Sequence, residues 1–243
     1  LRKNVKFHDG TPFTADDVVF SIERAQLPSS NFKVFAAPVG KARRIDDLTV
    51  EIETPAPSPV LLENVDAIRI MSRAWCVKSG ALKPQDFKTG EETYASRNAN
   101  GTGPFRFKDY TPKTKLTLVK NPNYWETGKP YLDGIEMIPV PDDTARSTAV
   151  RTGTVDFVEY APAKDIPQLK ADKTLTIAGD QNTNIRYLGF NLTQTDKPRA
   201  SPKVRQAISL AMDRPGVGDA ALYGGARQRL TAVAPGAWAA ADP

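Results

Sequence analysis

The chain has 243 residues, enough for one large core or two domains, and its 40% hydrophobic and 25% charged content is that of an ordinary soluble globular protein. Its formal net charge of +5 comes from Lys and Arg interspersed among acids, with no basic stripe interleaved with aromatics, which argues against a nucleic-acid surface. No apolar run reaches membrane-span length, and the single cysteine, Cys76, excludes an internal disulfide and a multi-thiolate metal site. Cys76 reads instead as a small buried hydrophobe beside Trp75.

In chain order, Leu1 to Phe7 alternates like a strand and feeds the turn His8-Asp9-Gly10-Thr11-Pro12. The following helix has a complete start. Thr14 is the N-cap, Asp17 occupies the capping-box position, and Phe13 and Val18 are placed for a hydrophobic staple. Val18, Ile22 and Ala25 continue the helical stripe. Residues 28–47 read as a loop whose basic cluster, Lys41, Arg43 and Arg44, is solvated. Leu48 to Glu53 alternates as a strand, and Pro59 suits the first turn of a short helix over Val60 to Asn64. A polar connection runs from Gln85 to Asn100.

The stretch from Gly101 to Phe157 alternates strand and turn chemistry. Phe105-Arg106-Phe107 and Leu116 to Val119 predict strands, the latter stopped by Asn121-Pro122-Asn123. A third strand is expected over Ile135 to Val140. Asp142 caps a helix through Arg151, Gly153 ends it, and Val155 to Phe157 reads as another strand. Further on come a helix over Ala163 to Ala171 interrupted by Pro167, a strand at Leu175 to Ile177, and a strand over Arg186 to Asn191. Ser201 and Pro202 open a helix with the inward stripe Val204, Ala207, Ile208 and Ala211, stopped by Asp213-Arg214-Pro215.

Five blocks stand out in order: LRKNVKFHDGTPFTADDVVFSIERA, GTGPF, NPNYW with GKPYLDGI behind it, TGTVDF, and YLGFN followed by PKVRQAISLAMDR. Together they resemble the dipeptide/oligopeptide/nickel class of extracytoplasmic solute-binding proteins, family 5, the substrate receptors of ABC importers. The resemblance implies an α/β fold of the two-lobe periplasmic-binding type II kind (cluster C). Members are longer at both ends, so the chain is expected to be an internal piece, incomplete at both ends. In those terms residues 1–95 form the subdomain inserted in lobe one and 96–185 its main part. Residues 186–243 are the crossover strand and the start of lobe two, with a hinge near Asn191.

Enzymatic readings find little support. The carboxylate pairs Asp16/Asp17 and Asp142/Asp143 have capping roles, and adjacent side chains on one element diverge. No GxSxG elbow, P-loop or HExxH is present, and Pro104 removes a donor that a phosphate nest in GTGPF would need. His8, the only histidine, has no ligating neighbour in sequence and reads as a turn stabiliser. The chain is therefore read as a non-enzyme without cofactor, metal or catalytic residues.

The resemblance implies hinge closure of two lobes over a ligand. The ligand-binding candidates are Trp75, Arg97, Asn98 and Thr102 on the first lobe, with Asn182 and Asn184 near the crossing. Implied partners are a peptide or small-molecule ligand and the ABC permease, with no nucleic acid. Membrane contact is expected only through the permease or a lipid anchor. The expected protein is monomeric and periplasmic or otherwise extracytoplasmic. Two other readings remain open: a sensory or regulatory receptor reusing the fold, and an enzyme whose catalytic residues lie outside this stretch.

Overall fold

Helix α1 (Ala15–Gln26) begins where its capping chemistry dictates, in a computed structural model that describes residues 1–178 and 187–223. The Asp17 carboxylate accepts from the Thr14 backbone N–H at 2.9 Å and from the Thr14 hydroxyl at 3.1 Å. Val18, Ile22 and Ala25 are buried on one face of α1, joined by Ala36, Val39 and Ile68 in a single apolar cluster. Two compact units divide the chain, Leu1–Pro139 and Val140–Pro243.

In the first unit the cluster is closed by a short helix, α2 (Lys33–Ala36), by α3 (Leu61–Ala67), and by a hairpin of β1 (Lys41–Arg44) and β2 (Val50–Glu53). Strand β1 corrects the loop expected over 28–47. Only Ala42 among its four residues is apolar, so alternation was invisible, yet Ala42 pairs with Ile52 and packs inward. Its basic residues face acids: Arg43 Nε donates to Glu51 at 2.8 Å and Arg44 to Asp16 at 2.8 Å. The hairpin approaches so closely that a Cβ on Gly40 (φ +75°) would sit 2.2 Å from the Glu53 carbonyl oxygen.

Residues 1–7 form no strand; a single bridge pairs Lys6 with Pro12. Val5 and Phe7 are nonetheless buried, with Phe7 edge-on to Phe13 at 5.9 Å. Helix α4 (Arg73–Lys78) was not foreseen beyond the burial of Cys76. Its Ser72 N-cap accepts from Trp75 N–H at 3.2 Å, and Asp17 Oδ1 accepts from Arg73 N–H at 2.8 Å. The capping residue of α1 therefore also fixes the start of α4.

Strands β3 (Phe105–Thr111), β4 (Lys115–Lys120) and β5 (Gly134–Met137) form an antiparallel sheet in that order. Strand β3 is longer than the apolar run suggested, because its polar tail continues to pair with β4. A register shift falls between Phe107 and Asp109, leaving Lys108 as the extra residue of a bulge.

The second unit opens with α5 (Asp143–Arg151), capped by Asp142, whose Oδ1 accepts from Ala145 N–H at 2.7 Å. A single turn at Ala163–Asp165 leads into α6 (Ile166–Ala171). Pro167 stands in the first turn of α6, where its missing N–H costs nothing, rather than interrupting a helix. Ser147 Oγ donates to Asp165 at 2.5 Å, tying this turn to α5. Val155–Phe157 and Leu175–Ile177 are irregular, with no strand partner among the described residues. So are residues 187–191 of the expected crossover strand; residue 186 lies outside the described residues. Helix α7 (Pro202–Ala211) follows the Ser201-Pro202 start. At Asp213 the chain does not stop but starts α8 (Arg214–Leu222), with Asp213 Oδ1 accepting from Gly216 N–H at 3.1 Å and Pro215 in the first turn.

Candidate functional site

Three turn motifs far apart in sequence are tied together in the first unit. His8 N–H donates to the Gly101 carbonyl at 2.8 Å, and Gly101 N–H donates to His8 Nδ1 at 3.2 Å. With Nδ1 accepting, the ring proton sits on Nε2, which donates to the Gly103 carbonyl at 3.0 Å. Asp9 and Asn100 bond reciprocally: Asp9 N–H to Asn100 Oδ1 at 3.1 Å, and Asn100 Nδ2 to Asp9 Oδ2 at 2.9 Å. Asn121 Nδ2 donates to the same Gly103 carbonyl at 3.0 Å. The HDG, NGTGP and NPN turns thus form one clasp, with His8 as the turn stabiliser expected.

Burial pushes the His8 imidazole below its ordinary range, and the Arg106 charge acts the same way. The Gly103 hydrogen bond and Asp9 oppose them. The neutral ring is the form the clasp needs, because a protonated Nδ1 could not accept from Gly101.

Beside the clasp lies an open pocket of about 380 Å³. Its floor is His8, Asp9 and Asn100. One wall is Trp75 of α4, packed against Tyr94 at 5.7 Å, and the other is β3 at Arg106, Phe107 and Lys108. The bulge breaks the alternation of β3 there, so three consecutive residues line the pocket. Burial raises the Cys76 thiol above its ordinary range, with Arg24 opposing, so the cysteine behind Trp75 is an inert hydrophobe. No group of three metal-ligating side chains occurs among the described residues.

Arg106 carries the pocket's unbalanced feature. Its Nε is buried and has no hydrogen-bond partner among the described residues. A buried donor left in that condition costs on the order of 1–3 kcal/mol. Its neighbour across the sheet is Val119, not an acid.

Of the sequence candidates, Trp75 lines the pocket. Thr102 sits in the loop whose flanking carbonyls, Gly101 and Gly103, are both held by His8. Arg97 is exposed and forks onto Glu92 with two 2.8 Å bonds, its guanidinium 6.0 Å from the Tyr110 ring. Asn98 Nδ2 donates to the Tyr94 carbonyl at 3.1 Å. Both side chains are thus engaged with the segment that backs Trp75. Asn182 and Asn184 lie outside the described residues. Sequence reasoning passed over Arg106, Lys108 and Asn100. Arg106 in Phe-Arg-Phe reads as the solvent side of a strand, and only the absence of an acid opposite it hinted otherwise.

The α/β fold is that of the periplasmic binding proteins. The whole chain, residues 1–243, matches the bacterial extracellular solute-binding proteins, family 5 Middle, and belongs to that family. The heme-binding protein A of Haemophilus influenzae is 30% identical over 257 residues, covering 100% of this chain and 46% of the relative. The glutathione-binding protein GsiB of Pectobacterium atrosepticum is 30% identical over 216 residues, 88% of this chain and 40% of the relative. Among solved structures, the oligopeptide-binding protein AppA of Bacillus subtilis, in complex with a nonapeptide, superposes with a TM-score of 0.83 at 25% identity. That superposition covers 98% of this chain and 46% of AppA. The chain thus spans less than half the length of each of these relatives.

Proposed function

We propose that this chain is part of a substrate-binding component of an ABC transporter. It captures a peptide or similar small solute outside the cytoplasmic membrane and delivers it to the permease. The observation that supports this most is the match of the whole chain, in order, to one family of solute receptors. The named ligands of its relatives, heme, glutathione and a nonapeptide, define the range to test. The pocket beside the clasp adds the features such a receptor uses: an aromatic wall, Trp75, and a few placed polar groups.

In this reading residues 1–95 are the inserted subdomain, 96–185 the main part of lobe one, and 186–243 the crossover and start of lobe two. Trp75 and Thr102 contact the ligand, Arg97 and Asn98 brace the segment behind Trp75, and Asn182 and Asn184 meet the ligand at the crossing. The receptor works as a monomer, without catalysis, and reaches the membrane through the permease or a lipid anchor. No helix among the described residues is long and apolar enough to cross a membrane.

A thermal-shift screen against di- and oligopeptides, glutathione, heme, nickel with histidine, and saccharides tests this proposal. A true ligand at a hundredfold excess over its Kd stabilises by about 2.7 kcal/mol. One ligand class shifting the melt supports the receptor; a flat profile across all classes argues for another use of the fold.

A further inference from the structure

We infer that the pocket between Trp75 and β3 takes a carboxylate group of the solute, held by Arg106, with an apolar or flat part of the solute against Trp75. This rests on the receptor reading and names the chemistry of its first-unit site. The polar groups of the floor are closed onto one another. His8 uses both ring nitrogens on the 101–103 loop. Asn100 and Asp9 bond reciprocally, and the other Asp9 oxygen accepts from Thr11 N–H at 3.0 Å and Thr11 Oγ1 at 2.6 Å. Arg106 lines the pocket; its Nε is buried and unpartnered, so a solute would meet the Nη end of the guanidinium.

Charge points the same way. Arg106 and Lys108 face one carboxylate, Asp9, while His8 is held neutral, so the lining carries one net positive charge. A guanidinium edge presents parallel N–H groups that match the two oxygens of a carboxylate, which a point charge does not. The bulge at Lys108 brings a second cation to the same wall at a different depth, since Lys108 is exposed where Arg106 is half-buried. Lys108 therefore steers and Arg106 grips.

The test uses the 243-residue chain with matched probes: the dipeptide Ala-Phe, its C-terminal amide, 3-phenylpropanoate, and inorganic phosphate. Binding is read by titration calorimetry, and the Arg106 Nε–H resonance by ¹⁵N NMR. A charge-assisted hydrogen-bonded pair predicts the free acid to bind about tenfold to a hundredfold tighter than the amide. The Nε–H peak should move with the acid alone. Arg106→Gln should abolish the acid–amide difference, and Arg106→Lys should restore it in part. Should Arg106→Gln not fold, Lys108→Gln serves in its place, weakening the acid by a smaller factor and reducing its salt dependence.

Phenylpropanoate matching the dipeptide would mark a non-peptide carboxylate as sufficient, and a tighter dipeptide would mark a peptide end; both outcomes support the assignment. Acid and amide binding alike, phosphate binding as well as the acid, or Arg106→Gln keeping the discrimination would overturn it while leaving the receptor reading intact. If none of the probes binds, the site is overturned, and the solute screen then decides the receptor reading separately.

Discussion

Helices α1 and α7 open with similar chemistry and end in different surroundings. Each has a hydroxyl residue before its first turn and an apolar stripe at helical spacing. In the first unit, Ile22 is 1% exposed and α1 lies at the centre of the core. In the second unit, Ile208 of α7 is 37% exposed, and the helix buries no residue among those described. A stripe states that a face is apolar; it does not state what covers it. The first unit also joins its polar groups over long range, through Asp17, His8 and Asn100, whereas the caps of the second unit act within their own turns.

Ile22→Ala should destabilise the first unit by about 2–5 kcal/mol, the usual cost of emptying a packed aliphatic site. Ile208→Ala should change stability by about 0.5 kcal/mol or less, as an exposed helix position does. Equal losses in denaturant titrations would show that α7 is covered as α1 is.

Asp17→Ala comes next. It removes the partner of Thr14 and leaves the Arg73 N–H open, so a loss of about 2–4 kcal/mol is expected. Hydrogen exchange should quicken at Arg73 and along α4 as well as at the start of α1. Exchange confined to α1 would deny that Asp17 positions Trp75.

His8 sharpens the contrast through pH. Its folded pKa lies below the ordinary 6.5, so the stability it contributes is full above that value and is lost as pH falls through the folded pKa. The melting temperature of the first unit should drop on acidification, and His8→Asn should flatten that dependence. An unchanged profile in the variant would remove His8 from the clasp's energetics. Asp142→Ala should cost about 1 kcal/mol from a lost cap, confined to α5.

Much of the first unit was legible because local chemistry and tertiary role coincide there. Thr14 and Asp17 mark a helix start, and the structure uses them so. The same applies to β2 and β4 and, in the second unit, to the α5 cap. Strand β1 was hidden because only Ala42 of its four residues is apolar, and its pairing shows only once β2 lies beside it. Helix α4 was hidden because Ser72 is a weak signal until Asp17 supplies the second acceptor. The Asp213-Arg214-Pro215 run carries both stop and start chemistry, and only the next turn decides between them.

The site was legible in outline. The turn motifs that marked the family are the pieces of the clasp, so their spacing conveyed a contact about ninety residues long without showing it. Trp75 could be picked by type. Arg106 could not, because its importance lies in what stands opposite it and in the bulge beside it. Both depend on register, which alternation alone does not reveal.

The most direct test of the account is hydrogen exchange with and without the ligand class that emerges from the solute screen. The receptor reading, with its pocket beside the clasp, predicts added protection at Arg73–Lys78 and at residues 99–108 when the solute is bound. Saturable binding that leaves both segments unchanged would contradict it.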